Sequence, residues 1–419
     1  MNTVLIISPT PIGKQMAGPS IRYWEIACQL SVDNRVILLA PKNIDLSNDR
    51  LLLDILNVKN LIKYTSMSDL IVIQGMTLWK YPFIKFFSKP IAIDLYDPMH
   101  LENLEIYTED KFMNRLLYRT TKKMICEQLA KGDYFFCASE KQKDYWLGML
   151  TAVGRINVHE YNKINRDINK LIGIVPFGIP DIAPIKEANL IRDKFPQIGK
   201  NDKIVIWGGG IWGWLDPETL ISAMKIVKVK RSDIKCLFMG VNPPNAKASH
   251  KLQKLVKMIK DLDLEDTVIL NDWVDYDERS KFLLEASVGV SLHDNHLETR
   301  FSYRTRILDY IWCGLPILSS NGDVFADIIE REQLGVIVPV KDINATADAI
   351  LKLVDNRKIS IQKEEYMWSF ITKDLKEYTQ NPYFTSPRVS LFGEFKWFFW
   401  RMVYYSIRII DKSKALIKK

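Results

Sequence analysis

Residues 288–322 read VGVSLHDNHLETRFSYRTRILDYIWCGLPILSSNG. The stretch opens on a short apolar run ending at Leu292, which is the pattern of a buried strand. A polar loop follows, with His293, Asp294, His296, Glu298 and Arg300. A helical pattern then starts near Ser302, carries Arg304, Arg306 and Asp309, and stops at Gly314, a natural C-cap glycine. Pro316 begins the next apolar run. Strand, polar loop, helix and strand in this order make one step of a parallel α/β sheet. A helix N-terminus offers free N–H groups and partial positive charge to an anion. Ser302, Tyr303 and Thr305 add hydroxyls, and the arginines add fixed charge with bidentate geometry. The plain alternative is an ordinary connection with a solvated polar face. The density of Glu, Arg and His at one strand end favours a site.

The same alternation extends in both directions. Apolar runs at 203–207, 234–239, 267–270, 316–319 and 335–338 predict further strands. Helical patterns lie at 217–230, 248–262, 277–286, 303–313, 325–332 and 345–356. In the first half the strands are expected at 4–8, 36–40, 70–74, 91–95, 134–138 and 172–176, with a helix at 20–31. Continuous apolar strands alternating with helices imply parallel sheets covered on both faces. Pro176, Gly178 and Pro180 punctuate the middle and predict a linker ending near Pro184. The expected fold is therefore α/β, with two doubly wound, Rossmann-like parallel-sheet domains facing across a cleft. The expected bounds are 1–183 and 184–358, then a helix at 359–383 returning to the first domain, and a tail at 384–419. Ligands in such sheets bind beyond the carboxyl ends of the strands.

Bulk properties fit this plan. The chain has 419 residues, 47% hydrophobic and 26% charged, with a net charge of +8. The modest basic excess suits an anionic partner such as a nucleotide or phospholipid, and no feature selects nucleic acid. Cys28, Cys126, Cys137, Cys236 and Cys313 include no CxxC pair and read as reduced thiols of a cytoplasmic protein. No run of about 18 apolar residues predicts a membrane span.

The segment 308–316, Leu-Asp-Tyr-Ile-Trp-Cys-Gly-Leu-Pro, resembles a motif of the retaining glycosyltransferases of family 4, which have the GT-B fold. Those enzymes carry Glu-x7-Glu and then Ala-x-Gly-x-Pro on this helix. Asp309 stands at the second glutamate, whose counterpart contacts ribose hydroxyls. Phe301 replaces the first, and Glu298 is the nearest substitute, as a donor-sugar contact. The resemblance implies transfer of a sugar, with retention, from a nucleoside-diphosphate sugar. It implies no metal or other cofactor, and the pair His293-x-x-His296 is too weak a signal to add one. Gly208, Gly209 and Gly210 follow a strand and precede Pro217, so their backbone can approach a phosphate. No Lys or Arg lies between Lys203 and Lys225, so Arg300, Arg304 or Arg306 is expected to meet the diphosphate. Trp273 and Val274 resemble the segment that meets the base. With Glu298, Arg304 and Asp97 are the candidates for catalysis.

In the first half, Gly18 and Arg22 follow the first strand, and Asp94, Asp97 and His100 follow another. The resemblance places the acceptor there, a saccharide or lipid-linked saccharide of cell-surface polysaccharide or glycolipid synthesis. Asp97 is equally a turn residue before Pro98, and Ser139 reads as a helix cap.

Residues 391–410, LFGEFKWFFWRMVYYSIRII, hold eight aromatic residues, with Glu394, Arg401 and Arg408 on one helical stripe. A central arginine argues against spanning a bilayer. Aromatic faces and a basic end argue for residues 391–419 lying in an anionic membrane interface, on the inner face of the cell membrane. A helix packed on the protein is the alternative. Rival functions are a nucleotide-sugar epimerase, a nicotinamide oxidoreductase suggested by the three glycines, and a non-catalytic membrane-bound partner in polysaccharide assembly.

Overall fold

The computed structural model of the chain describes residues 1–42, 44–242, 250–356, 359, 361–385 and 391–417. It divides into two units. The first comprises 1–12, 23–176 and 372–419, and the second 13–22 and 177–371.

The first unit is built on β1 (Thr3–Ile7), β2 (Arg35–Ala40), β3 (Leu51–Ile55), β4 (Leu70–Gln74), β5 (Ile91–Asp94), β6 (Tyr134–Cys137) and β7 (Ile172–Ile174). All pairs are parallel, in the order β3-β2-β1-β4-β5-β6-β7. β1 and β4 are adjacent but feed opposite halves of the sheet, so the topological switch lies between them. The central strands are buried on both faces, which is why they read as unbroken apolar runs. β3 is the strand the sequence does not predict. It is half-buried and carries Asp54 in a leucine-rich run, so neither periodicity nor β-branching marks it.

The second unit contains β8 (Lys203–Trp207), β9 (Ile234–Phe238), β10 (Val268–Leu270), β11 (Val288–Ser291), β12 (Ile317–Ser320) and β13 (Gly335–Val338). Their order is β10-β9-β8-β11-β12-β13, again all parallel. This is the dinucleotide-fold order with its switch between β8 and β11. The core packs Trp207, Phe238 and Leu292 with the Pro217–Lys230 and Ile343–Leu353 helices. Local chemistry sets the helix ends. Asp216 caps the Pro217–Lys230 helix through the Thr219 N–H, with Pro217 in the first turn. Gly314 ends the Thr305–Cys313 helix at φ +67°, a left-handed position suited to glycine. Ser139 caps its helix through the Gln142 N–H. Of the helix expected at 248–262, residues 248 and 249 lie outside the described residues. Residues 250–261 form the His250–Asp261 helix, and Leu262 lies in the turn after it.

The C-terminal part of the chain belongs to the first unit from residue 372. It includes the Lys373–Gln380 helix and the long Leu391–Ile417 helix. All five cysteines are free. Among the described residues, no helix is long and apolar enough to cross a membrane.

Candidate functional site

A pocket of the second unit opens at the β8/β11 switch. The turn after β8 is held by Tyr310. Its hydroxyl accepts the Gly208 N–H at 2.8 Å and donates to the Val290 carbonyl at 2.8 Å. The ring reaches this position because β11 has Gly289 beneath it, where a Cβ would lie 2.5 Å from Tyr310 Cγ. Gly209 follows at φ +83° with open space around its missing side chain. The turn therefore presents backbone to the pocket.

Arg306 faces the same turn from the second position of the Thr305–Cys313 helix. Nη2 donates to the Gly210 carbonyl at 2.9 Å, and the guanidinium stacks 4.5 Å from the Trp207 ring centroid. Its Nη1 is buried without a hydrogen-bond partner. No carboxylate pairs with it among the described residues. Burial pushes the guanidinium pKa down to about 10, helped by the like charge of Arg304, so the cation persists at neutral pH. A buried, incompletely satisfied cation on a pocket wall calls for an anion. Thr305 lies beside it at the helix start, which no side chain caps.

The opposite part of the wall is flat and mostly apolar. Trp273 packs against Gly240 so closely that a Cβ there would stand 2.8 Å from the indole. Met239 and Val274 flank it, and the Asn271 side chain ties the two strand ends together by donating to the Met239 carbonyl at 2.7 Å. Asp309 also faces the pocket. It pairs with Arg279 at 3.1 Å, and Arg279 is itself clamped over the Tyr276 and Trp312 rings. Gly18 completes the lining from the segment 13–22.

The structure thus gathers Gly208, Gly209, Gly210, Trp273, Val274, Thr305, Arg306, Asp309 and Gly18 on one wall. Other candidates face elsewhere. Glu298 is buried in a charged cluster, 3.0 Å from Arg304 and 3.6 Å from His296. Arg304 also approaches Asp323 at 3.9 Å, and His293 lies 3.4 Å from Asp323. Asp323 caps the Val324–Arg331 helix with its other oxygen. Ser302 donates to the Thr299 carbonyl within a short turn, Tyr303 packs on Phe325, and Arg300 is exposed beside Phe301. Arg22 is fully buried and interacts electrostatically with Tyr303. His293 and His296 turn to different carboxylates, Asp323 and Glu298, instead of converging. Among the described residues no group of three or more His, Cys, Asp or Glu side chains could hold a metal.

In the first unit, Asp94 ends β5, and Asp97 and His100 follow it. Asp97 accepts from Gln74 Nε2 at 3.0 Å, and Asp94 accepts the Tyr96 N–H. His100 is buried against Tyr145 and Trp146, with Nε2 bonded to the Tyr145 hydroxyl. Burial pushes its pKa down to about 4, with Lys122 adding to the effect.

Sequence reasoning did not select Tyr310, Arg279 or Gly240. A signal existed for Gly240, a glycine directly after a strand. Tyr310 and Arg279 act through partners far along the chain. A nicotinamide oxidoreductase would need an acidic ribose ligand near the carboxyl end of β9; Asp233 instead lies just before the amino end of β9 and pairs with Arg231 at 2.7 Å. At the carboxyl end of β9, where that ligand belongs, stand Met239 and Gly240.

Residues 191–368 match the family of glycosyl transferases group 1. The fold is GT-B. Sucrose-phosphate synthase from Thermosynechococcus elongatus aligns over 100% of both chains, with 13% identity and a TM-score of 0.55. Anabaena Alr3699/HepE, in complex with UDP-glucose, aligns over 99% of this chain and 100% of its own, with 10% identity and a TM-score of 0.61. WaaG, a glycosyltransferase involved in lipopolysaccharide biosynthesis, aligns over 90% of this chain and 95% of its own, with 13% identity and a TM-score of 0.57. No curated protein matches the sequence. Together the family match and the structural neighbours support a glycosyltransferase.

Proposed function

We propose that the protein transfers a sugar from a nucleoside-diphosphate sugar to a saccharide or lipid-linked saccharide, with retention of configuration. The carrying observation is Arg306, a buried cation without a carboxylate partner among the described residues, set between a glycine turn and an uncapped helix start. That combination suits a diphosphate. The base then lies against Trp273, Gly240 and Val274, and the ribose hydroxyls meet Asp309. Developing charge on the departing diphosphate is met by the Gly208–Gly210 backbone, Thr305 and Arg306, which is electrostatic stabilisation of a leaving group. This assignment gives Arg306 the role that Arg304 shares in the sequence reading, because Arg304 is already paired with Glu298. Glu298 then acts by fixing Arg304 and the loop around it. The UDP-glucose bound by the Anabaena neighbour is consistent with this class of donor.

A thermal-shift panel with UDP, GDP, dTDP, CMP and NAD tests the reading, since a ligand selective for the native state raises the melting temperature. A shift with one nucleoside diphosphate supports it and names the base. A shift with NAD alone overturns it.

A further inference from the structure

The Leu391–Ile417 helix presents two apolar faces. The inner face packs on the first unit beside the Phe112–Lys131 helix. Trp397 and Ile407 are buried, and Arg401 reaches Glu127 at 2.8 Å and the Trp79 carbonyl at 2.9 Å. Tyr404 sits edge-on to Trp79. Arg401 is therefore an internal anchor, whereas Arg408 of the same sequence stripe is exposed. The outer face carries Phe395, Phe398, Phe399, Met402, Ile409 and Ile410, all exposed, with Tyr405 among them. At helical periodicity these fall on one arc, and between 395 and 410 that arc contains no charged residue. A continuous exposed stripe of this kind exceeds the scattered apolar residues of an ordinary surface.

Positive charge stands next to it. Lys123 lies over the Trp400 ring at 5.6 Å, so the Phe112–Lys131 helix runs alongside the tail helix. The same helix exposes Arg119 and Lys122, which line an open groove with Tyr107, Arg115 and Tyr118 and with the carboxylates Glu109 and Asp110. A shallow apolar stripe, rich in aromatic rings and flanked by cations, matches the boundary between acyl chains and anionic headgroups.

We propose that the outer face of the Leu391–Ile417 helix docks the protein flat on an anionic phospholipid surface, with Arg119 and Lys122 meeting the headgroups. The inner face stays on the protein, because releasing it would expose the Arg401–Glu127 pair. The inference is independent of the donor site in the second unit.

The test is co-sedimentation of the full chain with vesicles of phosphatidylcholine alone and of phosphatidylcholine mixed with phosphatidylglycerol. The expected result is sedimentation with the mixed vesicles, reduced by salt. A Phe398→Ser, Phe399→Ser, Ile409→Ser triple variant should stay in the supernatant. An Arg119→Glu, Lys122→Glu variant should lose the preference for phosphatidylglycerol. Melting temperature and its shift with nucleotide, unchanged in both variants, show that folding and the donor site are intact. Wild-type protein that ignores both vesicle types overturns the proposal, as does a triple variant that sediments like wild type. A dimer in gel filtration that the triple variant abolishes, without any vesicle binding by wild type, overturns it in favour of a second copy of the chain.

Discussion

Arg306 Nη2 donates to the Gly210 carbonyl at 2.9 Å, and this bond aims a guanidinium from the start of one helix at the glycine turn of a neighbouring strand. The two residues are 96 positions apart. Their meeting follows from the strand order, which sets β8 beside β11, so the loops leaving both strands share one crevice.

Replacing Arg306 by Met should separate binding from stability. Hydrogen bonds to charged groups contribute about 1.5–3 kcal/mol, so nucleoside-diphosphate affinity should fall by roughly 10- to 100-fold. The unliganded protein should melt at the same temperature or higher, because a buried cation with an unsatisfied N–H is removed. Calorimetric titration with the nucleotide, alongside a thermal melt, checks both. Unchanged affinity would remove Arg306 from the diphosphate site.

Two glycines of the pocket should respond differently to alanine. At Gly240 a Cβ would meet Trp273 at 2.8 Å, so the indole must shift and the flat wall deform. Overpacking of this kind costs about 1–3 kcal/mol, and nucleotide binding should weaken with it. At Gly209 the space is open but φ is +83°. The Gly209→Ala cost is then backbone strain, roughly 1–2 kcal/mol, without loss of the Trp273 wall. Quenching of tryptophan fluorescence by nucleotide should change in Gly240→Ala and persist in Gly209→Ala.

His100 predicts a pH dependence in the first unit. Burial lowers its pKa from 6.5 to about 4. Between these values the unfolded chain binds the proton and the folded chain does not, so stability falls as pH drops through this window. A shift of this size corresponds to roughly 3 kcal/mol as an upper order of magnitude. Urea melts from pH 7 to pH 4 should show a steeper loss for wild type than for His100→Gln. Equal slopes would mean that His100 is protonated in the folded protein at the ordinary pH.

Much of this arrangement was legible in the sequence because parallel strands buried on both faces read as apolar runs. Five of the six strands of the second unit lie within the expected segments, β12 runs one residue past its own, and Gly314 marks its helix end. β3 escaped because an edge strand with Asp54 lacks that signature. At the site, the sequence named the glycine turn, Trp273, Arg306 and Asp309 but could not rank three nearby arginines. Their ranking depends on partners. Arg304 has Glu298, Arg300 has solvent, and Arg306 has neither. The tail shows the same limit. Its helical periodicity is local, but the direction of Arg401 is set by Glu127, 274 residues away.

That pairing yields an ordered prediction. Glu127 is buried between two cations, Lys85 at 2.6 Å and Arg401 at 2.8 Å. Removing Arg401 leaves Glu127 paired with Lys85, whereas removing Glu127 leaves two buried cations facing each other. Breaking a buried pair so that charge is left uncompensated costs about 3–5 kcal/mol. Glu127→Ala should reach this range, and Arg401→Met should cost distinctly less. Both should speed amide exchange in residues 395–410, because both unfasten the inner face of the tail helix. The double variant Glu127→Ala, Arg401→Met should be more stable than Glu127→Ala alone, since it removes one of the two opposed cations. Thermal melts of the three variants with hydrogen exchange read this order directly. If Arg401→Met proves the more damaging single change, the anchor lies in the Trp79 contacts instead of the carboxylate.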